Sequence, residues 1–103
     1  MTATFSTKDN KLFIDGKQVI KAWESINGWY WFGVKRDHEQ DSYLGNGEVI
    51  RNDTIWFGYV QGLCDEWGYF SEGELQSLVC EGKAWRIKER DIPFAGRQEG
   101  GQQ

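Results

Sequence analysis

The fold follows from one aromatic run, Trp29-Tyr30-Trp31-Phe32-Gly33-Val34, because such a density of aromatic residues is typical of a β-strand. The turn dipeptide Asn27-Gly28 precedes this run and follows residues 22–26, so the two segments are predicted to form a hairpin. Successive side chains of a strand point to opposite faces, which puts large side chains on both sides of this one. At least one face of the predicted sheet must therefore be covered by another layer.

Turn signals predict a further hairpin before this run. Asp15-Gly16 stands between residues 12–14 and 18–20 and is typical of a tight type I′ turn. The first three strands are therefore expected to form a meander. Alternating apolar residues and turn residues predict more strands at residues 54–61, 66–70 and 84–88.

A capping box predicts one helix after the strand at 66–70. The Ser71 hydroxyl can accept the amide of Glu74, while the Glu74 carboxylate reaches back to the amide of Ser71. An apolar stripe with helical spacing follows, formed by Leu75, Leu78 and Val79. The helix is expected to end at Gly82 and to close this stripe over the sheet.

These elements predict an α+β fold: an antiparallel, aromatic-rich sheet of about five or six strands, with one short helix that starts near Ser71. Residues 36–53 are polar and contain Asn46-Gly47, so they fit either a hairpin or a long loop. The length predicts one domain, residues 1–92. Residues 93–103, from Pro93 onward, are expected to form a flexible C-terminal tail.

The net charge of −4 is unevenly distributed. Residues 37–82 hold ten acids and a single base, whereas residues 1–36 hold six bases and three acids. This segregation disfavours nucleic acid as a direct ligand and suits either a basic protein partner or plain solubility. The acids expected to contact such a partner are Asp37, Glu39, Asp41, Asp65, Glu66, Glu72 and Glu74.

The sequence assigns no catalytic residue, metal ligand or cofactor site, since it lacks the GxSxG, GxxxxGK[ST], HExxH and GxGxxG motifs. His38, the only histidine, is expected in an exposed loop. Cys64 and Cys80 belong to no CxxC pair, and two buried reduced thiols are favoured over a disulfide, which stays open. No apolar stretch is long enough to cross a bilayer and the first ten residues are polar, so a cytoplasmic location is expected.

The chain has six tryptophans, whose side chains could be buried in the core or exposed for binding. Trp29, Trp31, Trp56 and Trp67 are expected on one side of three adjacent strands. There they form either a packed layer beneath the helix or an open platform that stacks on sugars or bases. Packing is favoured, because a sheet of this size has few other residues with which to fill a core.

The densest segment reads Trp56-Phe57-Gly58-Tyr59-Val60-Gln61-Gly62, followed by Glu66-Trp67-Gly68-Tyr69-Phe70-Ser71 and Glu74-Leu75. With Trp29-Tyr30-Trp31 before it, this segment resembles a family of small plasmid- and phage-associated bacterial proteins of unknown function. That family combines a W-x-W strand, an F-G-x-V-x-G turn and a G-Y-F-S-x-x-E-L helix start, and the likeness covers roughly residues 29–78. The resemblance implies a cytoplasmic accessory protein of mobile elements, with no catalytic residues to carry over.

The leading hypothesis is a non-enzymatic acidic protein-binding module, a phage or mobile-element accessory protein. It would inhibit a host protein with a basic surface, such as a nucleic-acid-handling enzyme or a CRISPR-type or restriction defence protein. Two alternatives are a domain that binds a sugar or nucleotide through exposed tryptophans, and a small hydrolase that uses a carboxylate pair. The chain is expected to be a monomer or small homo-oligomer without membrane contact.

Overall fold

The computed structural model describes residues 3–95 of the chain, which form two antiparallel sheets and one α-helix. The first sheet holds β1 (Phe5–Lys8), β2 (Lys11–Ile14) and β3 (Lys17–Gln18), in that order. The second sheet has the order β7-β6-β5-β4-β8, with β4 (Lys21–Ser25), β5 (Tyr30–Tyr43), β6 (Val49–Gln61), β7 (Asp65–Ser71) and β8 (Ala84–Arg86). Helix α1 (Glu72–Cys80) lies between β7 and β8, and a 3-10 helix (Glu89–Phe94) follows β8. The predicted α+β class is confirmed.

The N-terminal hairpin forms as predicted but does not continue into the main sheet. Asp15 and Gly16 have φ values of 51° and 81°, as a type I′ turn requires, and Ile14 pairs with Lys17. Strands β1, β2 and β3 do form a meander, but the expected continuation of the predicted hairpin into the aromatic run is wrong, because β3 pairs with β2 whereas β4 starts the second sheet. The first sheet instead supplies part of the cover that a strand with bulky residues on both faces needs.

Residues 36–53 form a hairpin, which settles the alternative that the sequence leaves open. Strands β5 and β6 stay paired out to Tyr43 and Val49, and Gly47 in the connecting turn has a φ of 89°. The register shifts at three places along β5, between Gly33 and Lys35, between Arg36 and His38, and between Gln40 and Ser42. His38 therefore lies on a strand, not in the predicted loop, although its side chain is exposed.

Helix α1 begins and ends as the capping box and Gly82 predict. The Ser71 hydroxyl accepts a hydrogen bond from the Glu74 amide at 3.0 Å, and Gly82 has a φ of 76°. Within residues 3–95, no hydrogen bond joins the Glu74 carboxylate to the Ser71 amide, so the second half of the predicted box is wrong. The buried carboxylate of Asp53 binds this helix start instead, by accepting from the Ser71 hydroxyl and from the Gly73 amide at 2.8 Å.

Two apolar clusters lie on opposite faces of the second sheet. One packs beneath α1 and contains Trp23, Trp56 and Leu75, with Leu78 and Val79 of the predicted stripe against it. The other packs beneath the first sheet and the 3-10 helix, and its buried members are Leu12, Ile14, Val19, Ala22, Phe32, Tyr59, Ile87 and Ile92. Each face of the sheet thus has its own cover.

The chain end and the cysteines differ in part from expectation. Pro93 is buried inside the 3-10 helix and Ala95 packs against the second cluster, although both are assigned to a flexible tail by the sequence. The rest of that tail, residues 96–103, lies outside the described residues. Cys64 and Cys80 are free thiols as favoured, but both are exposed, so their predicted burial is wrong.

Candidate binding surface

The tryptophans do not form one layer. Trp56 is completely buried beneath α1, together with Trp23, and Trp31 packs against the same cluster. Trp67 lies on the opposite face, because the register of β6 and β7 pairs Trp56 with Phe70 and Tyr59 with Trp67. The prediction that Trp56 and Trp67 share a face is therefore wrong, and the sheet has a tryptophan layer on one side and a separate aromatic group on the other.

The layer beneath α1 is held by rings and by one carboxylate. Trp23 and Trp56 meet edge to face with centroids 6.1 Å apart. Glu72 accepts hydrogen bonds from the Trp56 indole at 2.7 Å and from the Lys21 ammonium at 3.0 Å. Burial raises the pKa of Glu72, but these two hydrogen bonds and the charges of Lys21 and Arg36 outweigh it and leave that pKa below its ordinary value.

The opposite face carries an aromatic platform, formed by Phe57, Trp67 and Tyr69. The rings of Phe57 and Trp67 stack with centroids 5.5 Å apart and an interplanar angle of 14°, and Tyr69 lies 5.3 Å from Phe57. Tyr69 is 63% exposed, although β6 and β7 hold its backbone in the sheet. The first sheet covers the inner part of this face and leaves the platform open.

Lysines and one acid surround the outer part of the platform. The Lys17 ammonium lies 5.5 Å from the centre of the Trp67 ring, within range of a cation–π contact. A hollow of about 500 Å³ is lined by Lys17, Val34, Lys35, Asp37, Phe57 and Tyr69. A flat ligand resting on the Phe57 and Tyr69 rings would meet two positive charges here.

The start of β7 is acidic. Asp65, Glu66 and Asp15 line a second hollow, of about 470 Å³, beside Trp67 and Tyr59. Burial raises the pKa of the Tyr59 hydroxyl, and the negative charges of Asp65 and Asp15 raise it further. Asp65 and Asp15 both lie close enough to Tyr59 to affect its hydroxyl, so negative charge is concentrated at this end of the sheet.

Three of the seven acids predicted to bind a partner have internal partners. Asp37 contacts His38 at 2.7 Å, Asp41 binds Arg51 at 3.0 Å, and Glu72 is held by Lys21 and Trp56. Among residues 3–95, the other four form no ion pair: Glu39, Asp65, Glu66 and Glu74.

The structure does not gather these seven acids on one surface. Asp65 and Glu66 lie at the start of β7, and Glu74 lies just beyond its end. Glu74 and Asp41 line a common hollow of about 490 Å³, whereas Asp37 and Glu39 lie farther along β5. Asp65 and Glu66 of β7, Glu74 just beyond it and Asp37 of β5 adjoin the aromatic platform, and of these four only Asp37 has an ion-pair partner within residues 3–95.

Sequence reasoning missed the platform residues Phe57 and Tyr69 and the buried Asp53. The alternation of β7 does place Trp67 and Tyr69 on one face, so a signal for the pair existed. No pattern in the sequence shows how far the first sheet extends over that face. The burial of Asp53 could not be predicted, because the sequence does not distinguish a buried acid from an exposed one until its hydrogen-bond donors are known.

Within residues 3–95, no three of the His, Cys, Asp and Glu side chains are grouped so that they could hold a metal ion. None of the helices in that range is both long and apolar enough to cross a bilayer.

Comparisons with protein-family models, with curated proteins and with solved structures give no match for this chain.

Proposed function

We propose that this chain is a non-enzymatic protein-binding module whose contact surface is strand β7, with its aromatic platform and its flanking acids. The observation that carries the proposal is the exposure of Tyr69 beside stacked Phe57 and Trp67. These rings lie on or beside the strand that begins with Asp65 and Glu66, two acids that form no ion pair within residues 3–95. Tyrosine and tryptophan dominate the energetics of protein interfaces, and fixed rings lose little entropy on binding.

The flanking charge specifies the partner's chemistry. Asp65 and Glu66 at one end of β7 and Glu74 beyond the other end have no internal ion pair within the described part of the chain. A partner with a basic surface is therefore favoured over an acidic one, and complementary charge would also accelerate its association. Proteins that handle nucleic acid carry such basic grooves, so a host defence or nucleic-acid enzyme is the most concrete partner class.

The arrangement of carboxylates gives no support to the hydrolase alternative. Asp65 and Glu66 both border the hollow beside Trp67, but as neighbours in a strand their side chains leave the backbone on opposite sides, which does not suit a pair of catalytic carboxylates. Glu72 accepts hydrogen bonds from Lys21 and Trp56, so it is not free to act with Glu74 as a pair of catalytic carboxylates. Binding is thus the function that these side chains support best.

The test is capture of partners from bacterial lysate with the immobilised chain, at low and at high salt. The double variant Asp65→Lys/Glu66→Lys reverses the charge at the start of β7. The matched control Glu48→Lys/Glu81→Lys makes the same change in net charge at exposed positions away from β7. We expect high salt and the β7 variant to release the same protein, and the control to retain it. Equal capture by both variants would contradict the proposal.

One observation favours a second function, the binding of a nucleotide. The lysines Lys17 and Lys35 flank the Phe57 and Tyr69 rings around a hollow of about 500 Å³, so a base could stack while its phosphates meet the ammonium groups. Titration with ATP, followed through the intrinsic tryptophan fluorescence of the chain, would show a saturable change that inorganic triphosphate does not produce. The same change in the Tyr69→Ala variant would count against stacking.

A further inference from the structure

Strand β7 is an open edge of the main sheet. It lies at the end of the strand order and has seven residues, whereas β8 at the other edge has three. Within residues 3–95, no backbone hydrogen bond joins the outer side of β7 to another segment. A long edge of this kind is a template for the addition of another strand.

The alternation of hydrogen bonds across the sheet shows which groups face outward. The Ser25 amide donates to the Trp29 carbonyl at 2.9 Å, so Trp29 is bonded to β4. Residues of a strand bond alternately to its two neighbours, so Phe32 is bonded to β6, where it pairs with Tyr59.

The same alternation continues to the edge. Since Tyr59 is bonded to β5, its neighbour Gly58 is bonded to β7, where it pairs with Gly68. The residues on either side of Gly68 must then direct their N–H and C=O groups outward. These residues are Trp67 and Tyr69, whose rings form the platform.

Nothing in β7 blocks an added strand. The strand contains no Lys or Pro, and its register with β6 runs without a shift from Asp65 to Ser71. Natural edges are usually protected by such residues, by bulges or by short length. Gly68, in the middle of this edge, has no side chain that could crowd an added strand.

The charge along the edge selects the occupant. Asp65 and Glu66 stand at one end and Glu74 beyond the other, with exposed Tyr69 between them. A second copy paired antiparallel about Gly68 would set Asp65 opposite Ser71 and Glu66 opposite Phe70, so it would bring no positive charge to these acids. An extended segment with Arg or Lys supplies that charge, and its cations can pair with Asp65 and Glu66.

We infer that a basic, extended segment of the partner adds to β7 as a sixth strand and bonds to the outward groups of Trp67 and Tyr69. This inference rests on the proposed function and specifies how the partner is held. Main-chain hydrogen bonds would supply affinity, while the platform and the flanking acids would supply selectivity.

The experiment compares Tyr69→Pro with Tyr69→Val. Both variants lose the ring, but only proline removes the outward amide, and proline is tolerated at an edge where the N–H faces solvent. The probe is a labelled eight-residue peptide of alternating Arg and Val, and binding is measured by fluorescence anisotropy. We expect the proline variant to bind about tenfold more weakly than the valine variant, because one hydrogen bond and part of the strand contact are lost.

A second probe keeps the test independent of variant folding. The same peptide with every backbone amide N-methylated retains its charge but has no N–H with which to pair as a strand, and we expect it to bind the unaltered chain at least about tenfold more weakly. Equal binding of the two peptides, or equal binding by the two variants, would overturn strand addition. So would self-association of the chain through β7 in sedimentation equilibrium, which would identify a second copy as the occupant.

Failure of this inference is distinguishable from failure of the proposed function. If Asp65→Lys/Glu66→Lys loses the captured partner while methylation of the peptide has no effect, the proposed contact surface is correct and the addition of a strand to β7 is not. If neither change alters binding, the proposed surface itself fails.

Discussion

The two faces of the main sheet use the same residue types in opposite ways. On β6, Trp56 is completely buried beneath α1, whereas its neighbour Phe57 lies on the platform and is only partly covered. On β7, Phe70 packs against the layer beneath the helix, whereas Tyr69 is 63% exposed. Aromatic content alone therefore does not distinguish core from surface here; the extent of the covering layer does. The covered residues of both faces account for stability, and the uncovered platform is available for binding.

The largest expected effect comes from truncating one ring on each face. Trp56→Ala removes a completely buried ring and leaves the Glu72 carboxylate without its indole donor, so we expect a loss of about 3–5 kcal/mol in the free energy of unfolding. Tyr69→Ala should cost about 1 kcal/mol or less, since most of that side chain is already in water. Urea unfolding followed by circular dichroism measures both. Similar losses of unfolding free energy for the two variants would contradict the difference between the covered ring and the exposed ring.

A glycine pair sharpens the comparison at the backbone. Gly58 and Gly68 face each other across β6 and β7, but an alanine Cβ at Gly58 would lie 1.9 Å from the Phe32 carbonyl oxygen, whereas one at Gly68 meets nothing. We expect Gly58→Ala to destabilise the chain by about 1–3 kcal/mol or more, because backbone must move. Gly68→Ala should be neutral or stabilising by up to about 1 kcal/mol. Thermal unfolding of both variants checks this, and an equal shift in Tm would contradict it.

The smallest expected effect is a pH dependence that arises on the covered face. Because the folded-state pKa of Glu72 lies below its ordinary value of 4.5, the unfolded chain binds more protons in that range. The stabilisation from Glu72 is therefore present above about pH 4.5 and is lost as the pH falls through the lowered pKa. The Glu72→Gln variant should show a weaker decline in unfolding free energy between pH 7 and pH 3. The exposed Glu48→Gln variant is the control and should follow the unaltered chain.

The sequence predicts the local elements well, because their signals are local. Asp15-Gly16, Asn27-Gly28 and the Ser71 cap each determine a turn or a helix start from a few residues, and all three form as expected. The placement of the N-terminal hairpin in its own sheet was not predictable, since it depends on packing between Val19 and residues far along the chain.

The candidate site was less predictable than the fold. The face of Trp67 depends on the length of the turn before Asp65, because one residue more or less exchanges the two faces of β7. Whether an acid has an internal partner depends on residues distant in sequence. Glu72 pairs with Lys21, and Asp53 accepts hydrogen bonds from Ser42 and Gly73. Charge segregation could indicate a basic partner, but only the structure separates Asp65 and Glu66 from acids with internal ion pairs.

Amide hydrogen exchange in the presence and absence of the bound Arg-Val peptide tests most directly whether β7 is the contact surface. We expect protection to increase over residues 65–71, above all at Trp67 and Tyr69, with α1 and β8 unchanged. Increased protection confined to α1, β8 or the hairpin tip at residues 43–49 would contradict the assignment of binding to the open face.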